Sequence, residues 1–121
     1  MANTFKVVTF AAEPNSAGTP YVVYTAGSGV TTVVLGLILT NVNTAQVTAE
    51  VELVSTTSNR AVANNTANET AFLAKDVPIP VGSSVELLSG NKVVLETTDQ
   101  IRIDCSVADK LSGALSVMEI T

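Results

Sequence analysis

Gln100-Ile101-Arg102-Ile103-Asp104-Cys105-Ser106-Val107 decides the fold class of this 121-residue chain. Ile101, Ile103, Cys105 and Val107 fall on one side of the run, while Arg102, Asp104 and Ser106 fall on the other. A period of two with one apolar and one polar side is the pattern of a β-strand that lies on a core. Gln46 to Leu53 repeats it, with Val47, Ala49, Val51 and Leu53 opposing Thr48, Glu50 and Glu52. Two such strands predict an antiparallel sheet with one face buried.

Working outward, β-branched residues recur in pairs, including Val7-Val8, Val22-Val23, Thr31-Thr32, Val33-Val34 and Val93-Val94. Branching at Cβ suits a pleated surface and handicaps a helix. Further strands are expected over Phe5 to Phe10, Tyr21 to Thr25, Val30 to Asn41, Ala71 to Asp76, Val85 to Leu88, Lys92 to Glu96 and Gly113 to Ile120. Val30 to Asn41 is apolar on both sides, which predicts a central strand or one bent at Gly36. Turn signals separate the strands at Ala26 to Gly29, Asn41 to Ala45, Ser89 to Asn91 and Thr97 to Asp99. Many short strands between such turns predict one antiparallel β-sandwich of eight or nine strands, jelly-roll or immunoglobulin-like.

Two stretches depart from the alternation. Ser55 to Thr70 is rich in Ser, Thr, Asn and Ala, and reads as a long polar surface loop. Val77-Pro78-Ile79-Pro80-Val81-Gly82 carries two prolines that cannot donate ladder hydrogen bonds, so it is expected to be an extended crossing or an edge segment. Residues 1–12 form a candidate N-terminal arm, and no second domain is expected.

Composition narrows the chemistry. Hydrophobic residues make up 46% of the chain and charged residues 14%, which excludes a disordered tail. There is no histidine, so the usual general base and metal ligand are missing. The net charge of −5, with six scattered basic residues, argues against a nucleic-acid partner. No secretion signal is read at the N-terminus, and the apolar run Val33 to Leu39 is far shorter than a membrane helix of about 20 residues. A soluble, cytoplasmically made chain without cofactor, membrane or small-molecule substrate is expected.

Individual candidates reduce to structural roles. Glu50 and Glu52 share one strand face, which suits a hard cation but is better explained as a solvated sheet face. Asp99 precedes a strand and reads as a turn-capping side chain. Cys105 sits on an apolar strand face without a basic neighbour and reads as a small buried hydrophobe. Gly27 and Gly29 are turn glycines, since a strand rather than a helix follows them. Asn64-Asn65-Thr66 and Asn68-Glu69-Thr70 match the glycosylation acceptor pattern, which matters only in a secreted eukaryotic protein. Tyr21, Tyr24, Phe5, Phe10 and Phe72 are too few for a convincing sugar platform.

Val30 to Leu39 and Val77 to Val85 are apolar on both faces, more than a small sandwich hides. An apolar second face is expected to meet a partner subunit. The run Lys75 to Leu95, with its Val77-Pro78-Ile79-Pro80 crossing, the strand led by Asp99, and the passage from Val33 to Asn41 into Val47 to Leu53 resemble the small all-β virion proteins of tailed bacteriophages. The resemblance covers most of Thr31 to Thr121. It implies a non-enzymatic subunit repeated in a particle, first a head decoration or cement protein. A tail, neck or fibre-associated adaptor is the alternative, and a glycan-binding adhesion module a more distant one. The implied partners are further copies of itself and virion proteins such as the major capsid protein. Candidate interface residues are Phe5, Val7 and Phe10 in the arm, Asn59, Arg60, Asn64 and Asn65 in the loop, and Val77, Ile79 and Val81 around the prolines.

Overall fold

The computed structural model describes residues 2–55, 68–88 and 92–121. Alternating, β-branched segments form nine strands there: β1 (Asn3–Glu13), β2 (Tyr21–Thr25), β3 (Thr31–Asn41), β4 (Val47–Val54), β5 (Ala71–Ile79), β6 (Ser84–Leu87), β7 (Val93–Leu95), β8 (Gln100–Cys105) and β9 (Leu111–Ile120). All the pairings are antiparallel. One sheet runs β1-β9-β3-β6, with β7 also on β3, and the other runs β2-β8-β4-β5. The architecture is a β-sandwich, as the alternation predicts.

The core fills the space between the sheets. Val34, Leu37 and Leu39 of β3 and Leu115 and Val117 of β9 meet Val47, Ala49 and Val51 of β4 and Ile101 and Ile103 of β8, all buried. The doubly apolar β3 is central, flanked by β9 on one side and by β6 and β7 end to end on the other. Its register shifts between Val34 and Gly36, where one extra residue bends the strand. Cys105 is buried on β8. The strand ends there, so Val107 lies in the following turn and is exposed, against the alternation read across it.

β1 is longer than Phe5 to Phe10. It does not project as a free arm but pairs with β9 from Asn3 to Glu13 as an edge strand. The second sheet's edge is β5, which takes in Val77-Pro78-Ile79 and pairs Pro78 with Thr48. An edge position leaves the missing proline N–H without consequence. Two register shifts interrupt β5, and Asp76 takes a φ of 52° at the first. Such bulges twist an edge and discourage uncontrolled pairing. Ser83 N–H then donates to Pro80 O at 3.1 Å across a turn in which Gly82 has a φ of 73°, a conformation glycine enters without strain.

The polar loop read over Ser55 to Thr70 and the turn at Ser89 to Asn91 fall largely outside the described residues. Asn68 Nδ2 donates to Ser55 Oγ at 2.8 Å, which joins the two ends of the loop.

Candidate assembly surface

The outward-pointing positions of the two sheets differ in character. On the β2-β8-β4-β5 sheet charged side chains stand among Val22, Thr48 and Phe72, and two pairs of charges meet. Glu52 faces Arg102 across the β4–β8 ladder, with Arg102 Nη2 2.8 Å from Glu52 Oε2. Lys75 Nζ reaches Glu50 Oε1 at 3.0 Å and lies 4.5 Å above the Phe72 ring. Asp104, opposite Glu50, turns away instead. Its Oδ1 accepts from its neighbour Cys105 N–H at 2.8 Å and from Gly18 N–H at 3.2 Å, which ties the loop before β2 to β8. Glu50 and Glu52 each answer a base rather than converge on a shared point. Glu50, Asp76 and Asp104 line a shallow depression, but among the described residues no group of three or more His, Cys, Asp or Glu could hold a metal ion.

The outward positions of the β1-β9-β3-β7 sheet are mostly apolar. Phe5 pairs with Met118, Met118 with Val33, and Val33 with Val94, so one apolar row crosses four strands. A second row runs Thr9, Ala114, Ile38, Glu86. Phe5 is 70% exposed, Val7 62%, Val94 54% and Ile38 45%. Among the described residues, Glu86 is the charged side chain at an outward ladder position of this sheet. Small residues, Ala114 and Ser116, floor the middle strand β9, while Phe5 and Val7 on β1 and Leu35 and Ile38 on β3 stand beside them. The face therefore has ridges along two strands and hollows between them, one lined by Phe5, Lys6, Val7, Leu35 and Ser116 and the next by Leu35, Ile38, Glu86, Ala114 and Ser116. Register thus gathers exposed large apolar side chains from β1, β3 and β7 onto one sheet face.

The interface candidates from the sequence divide. Phe5 and Val7 lie on the apolar face. Phe10 lies on the opposite side of β1, an odd number of residues from both, and is buried over Gly113 with its ring 5.7 Å from that of Tyr21. Val77 and Ile79 point to the core side of β5, opposite Ala49 and Val47, with Ile79 fully buried. Phe10 and Ile79 thus offer no side-chain surface to a partner. Val81 is exposed at the tip of the proline turn. Asn59, Arg60, Asn64 and Asn65 fall outside the described residues. Met118, Val33, Leu35, Ile38 and Val94 escaped the sequence reading as a group, since they come from three strands far apart in the chain. The signal that was present is the apolar second face of β3: Val33 and Leu35 share one parity, and the extra residue between Val34 and Gly36 brings Ile38, of the other parity, onto the same side.

One polar network closes an end of the sandwich. Tyr24 O–H donates to Glu119, Thr32 Oγ1 donates to the phenol oxygen at 2.8 Å, and Lys6 Nζ lies 2.8 Å from Glu119. Lys6, and then the Tyr24 hydroxyl, hold the Glu119 carboxyl below its ordinary range. Burial, and then the bond to Glu119, push the Tyr24 phenol up. The network spans from β2 to the opposite sheet, a structural role for groups that could otherwise suggest acid–base chemistry. Burial likewise raises the Cys105 thiol, which keeps it protonated and a poor nucleophile.

No protein-family model matches the chain, and no curated protein matches it. Among solved structures, a chain from the disulfide-linked pili of Bacillus endospore appendages is similar, with a TM-score of 0.46 and 15% identity over 99% of this chain and 87% of that one. A chain of infectious bursal disease virus, Gx strain, is similar with a TM-score of 0.46 and 16% identity. The match covers 97% of this chain and 32% of that much longer one.

Proposed function

We propose that this chain is a non-enzymatic structural subunit of a tailed-phage virion, bound to the head as a decoration or cement protein. The observation that carries the reading is the ridged face built on the apolar row Phe5, Met118, Val33 and Val94. Covering such a face removes apolar surface from water, and a subunit that binds only the assembled shell stabilises it by mass action. The resemblance to small all-β virion proteins, carried by the Val77-Pro78-Ile79-Pro80 crossing and the strand led by Asp99, supplies the particle. The charged, internally paired face of the other sheet would then point to solvent.

The test is quantitative mass spectrometry of purified virions, with the subunit located in a low-resolution map. A decoration protein is recovered at high copy number on the head surface. Recovery in a few copies at the neck, tail or fibre assigns the adaptor role instead. Absence from the particle overturns the virion reading.

A further inference from the structure

We infer that the apolar face of the β1-β9-β3-β7 sheet is the contact for a second copy of this chain, the two copies packing face to face about a two-fold axis. The inference rests on the reading of the chain as an assembly subunit and names the first partner in that assembly.

Three features point to an identical partner. The first is charge. Copies that each carry a net charge of −5 repel one another, and they approach with least repulsion where charge is scarce. Among the described outward ladder positions of this sheet, Glu86 is the charged one, on the edge strand β6. The opposite sheet carries Glu50, Glu52, Arg102, Asp104 and Lys75 around its exposed Val22 and Phe72, so the first face brings fewer charges to a self-contact.

The second feature is shape. A two-fold contact uses the same patch on both copies, so that patch needs both a projection and a recess. Here both occur side by side: Phe5 and Ile38 stand out, and the small Ser116 and Ala114 between their strands leave hollows. The ridge of one copy can enter the groove over β9 of the other, as facing sheets interdigitate in a sandwich core.

The third feature is size. Three strands about 4.8 Å apart and roughly ten residues long at about 3.3 Å per residue, with the three-residue β7 beside them, present roughly 500 Å² per copy, about 1,000 Å² per pair and at the low end for a specific interface. The match is to a weak, reversible pair.

The experiment is sedimentation velocity of the full chain over a concentration series, with Val7→Glu and Val94→Glu as variants. Val7 and Val94 are well exposed and lie at opposite margins of the face, so either carboxylate leaves the fold intact, which circular dichroism checks. The wild type is expected to dimerise, and each variant to weaken the dimer by at least about tenfold, because each places an unpaired carboxylate in a dry contact. In parallel, Val94→Cys is spin-labelled, with Cys105 buried and unlabelled. Face-to-face packing places the two labelled backbones under about 25 Å apart, because facing sheets lie roughly 10 Å from one another. Pairing through the free edge of β1 would separate them by seven strand spacings, roughly 34 Å. That longer distance, with Val94→Glu still dimeric, overturns the inference in favour of edge pairing. A wild type that stays monomeric, or a dimer indifferent to both variants, also overturns it. A monomer still found at high copy number on heads leaves the virion reading standing, and a face-to-face dimer absent from virions does the reverse.

Discussion

The ring of Phe10 lies against Gly113, its direct partner across the β1–β9 ladder. A methyl group built on Gly113 would fall 2.5 Å from the ring's Cζ and 2.5 Å from the carbonyl oxygen of Ile38. One neighbour is a side chain that can rotate, but the other is the backbone of β3 and cannot yield without moving the sheet. The absence of a side chain at Gly113 therefore seats Phe10 in the core, and Phe5 and Val7, of opposite parity on the same strand, are thereby held outward.

Gly113→Ala is expected to destabilise the fold by about 1–3 kcal/mol, the range for overpacking a close contact. Phe10→Leu in the same chain should recover part of that loss but not all of it, since the Ile38 carbonyl remains. Urea denaturation of the two single variants and the double variant measures the coupling. A neutral Gly113→Ala contradicts the packing described.

Asn41 ends β3 with all its polar atoms engaged. Its Nδ2 donates to Ile79 O at 2.8 Å and to Ala45 O at 2.9 Å, while its Oδ1 accepts from Asn43 N–H at 2.7 Å. Asn41→Asp replaces a buried donor with a carboxylate oxygen facing two carbonyls and is expected to cost about 2 kcal/mol or more. Asn41→Ala should cost less in electrostatic terms while also loosening the β3–β4 turn. Thermal melts that rank Asp no worse than Ala count against this account of the turn.

Glu119 makes acid stability depend on one carboxylate. Its folded-state pKa is lowered, first by Lys6 and then by Tyr24. The stabilisation is therefore complete above the unfolded glutamate value and is lost as pH falls through the lower folded one. Glu119→Gln should be less stable than the wild type at neutral pH, with the difference shrinking as the solution is acidified through that window. Melting curves at stepped pH test this, and a constant gap between the two proteins contradicts it.

Cys105 is expected to resist thiol-labelling reagents in native buffer and to react fully once the chain is unfolded. Its 3% exposure and raised thiol pKa both oppose attack. Rapid native labelling would show that β8 opens far more readily than its buried ladder suggests.

Much of this fold was legible along the chain because the decisive information is local. The faces of β4 and β8 follow from alternation alone, as does the central place of a strand that is apolar on both sides. The proline crossing was also legible as an edge, since a residue without an N–H suits no inner ladder. Phe10 shows the limit. Its parity against Phe5 and Val7 was readable, but grouping the three as an arm overrode it. The assembly face lay deeper still. The row Phe5, Met118, Val33 and Val94 is created by cross-strand register, and register depends on pairing order, which no local period encodes. Ile79 looked available beside the prolines until the β4–β5 ladder turned it to the core.

The central claim, that this subunit joins a particle as a pair closed over its apolar sheet face, is tested most directly by binding to purified phage heads stripped of it. Wild-type chain and a folded Val7→Glu, Val94→Glu double variant would be added at equal concentration and the bound copies counted. The account predicts saturating occupancy for the wild type and a loss of most binding for the variant. Equal occupancy of the two would contradict it.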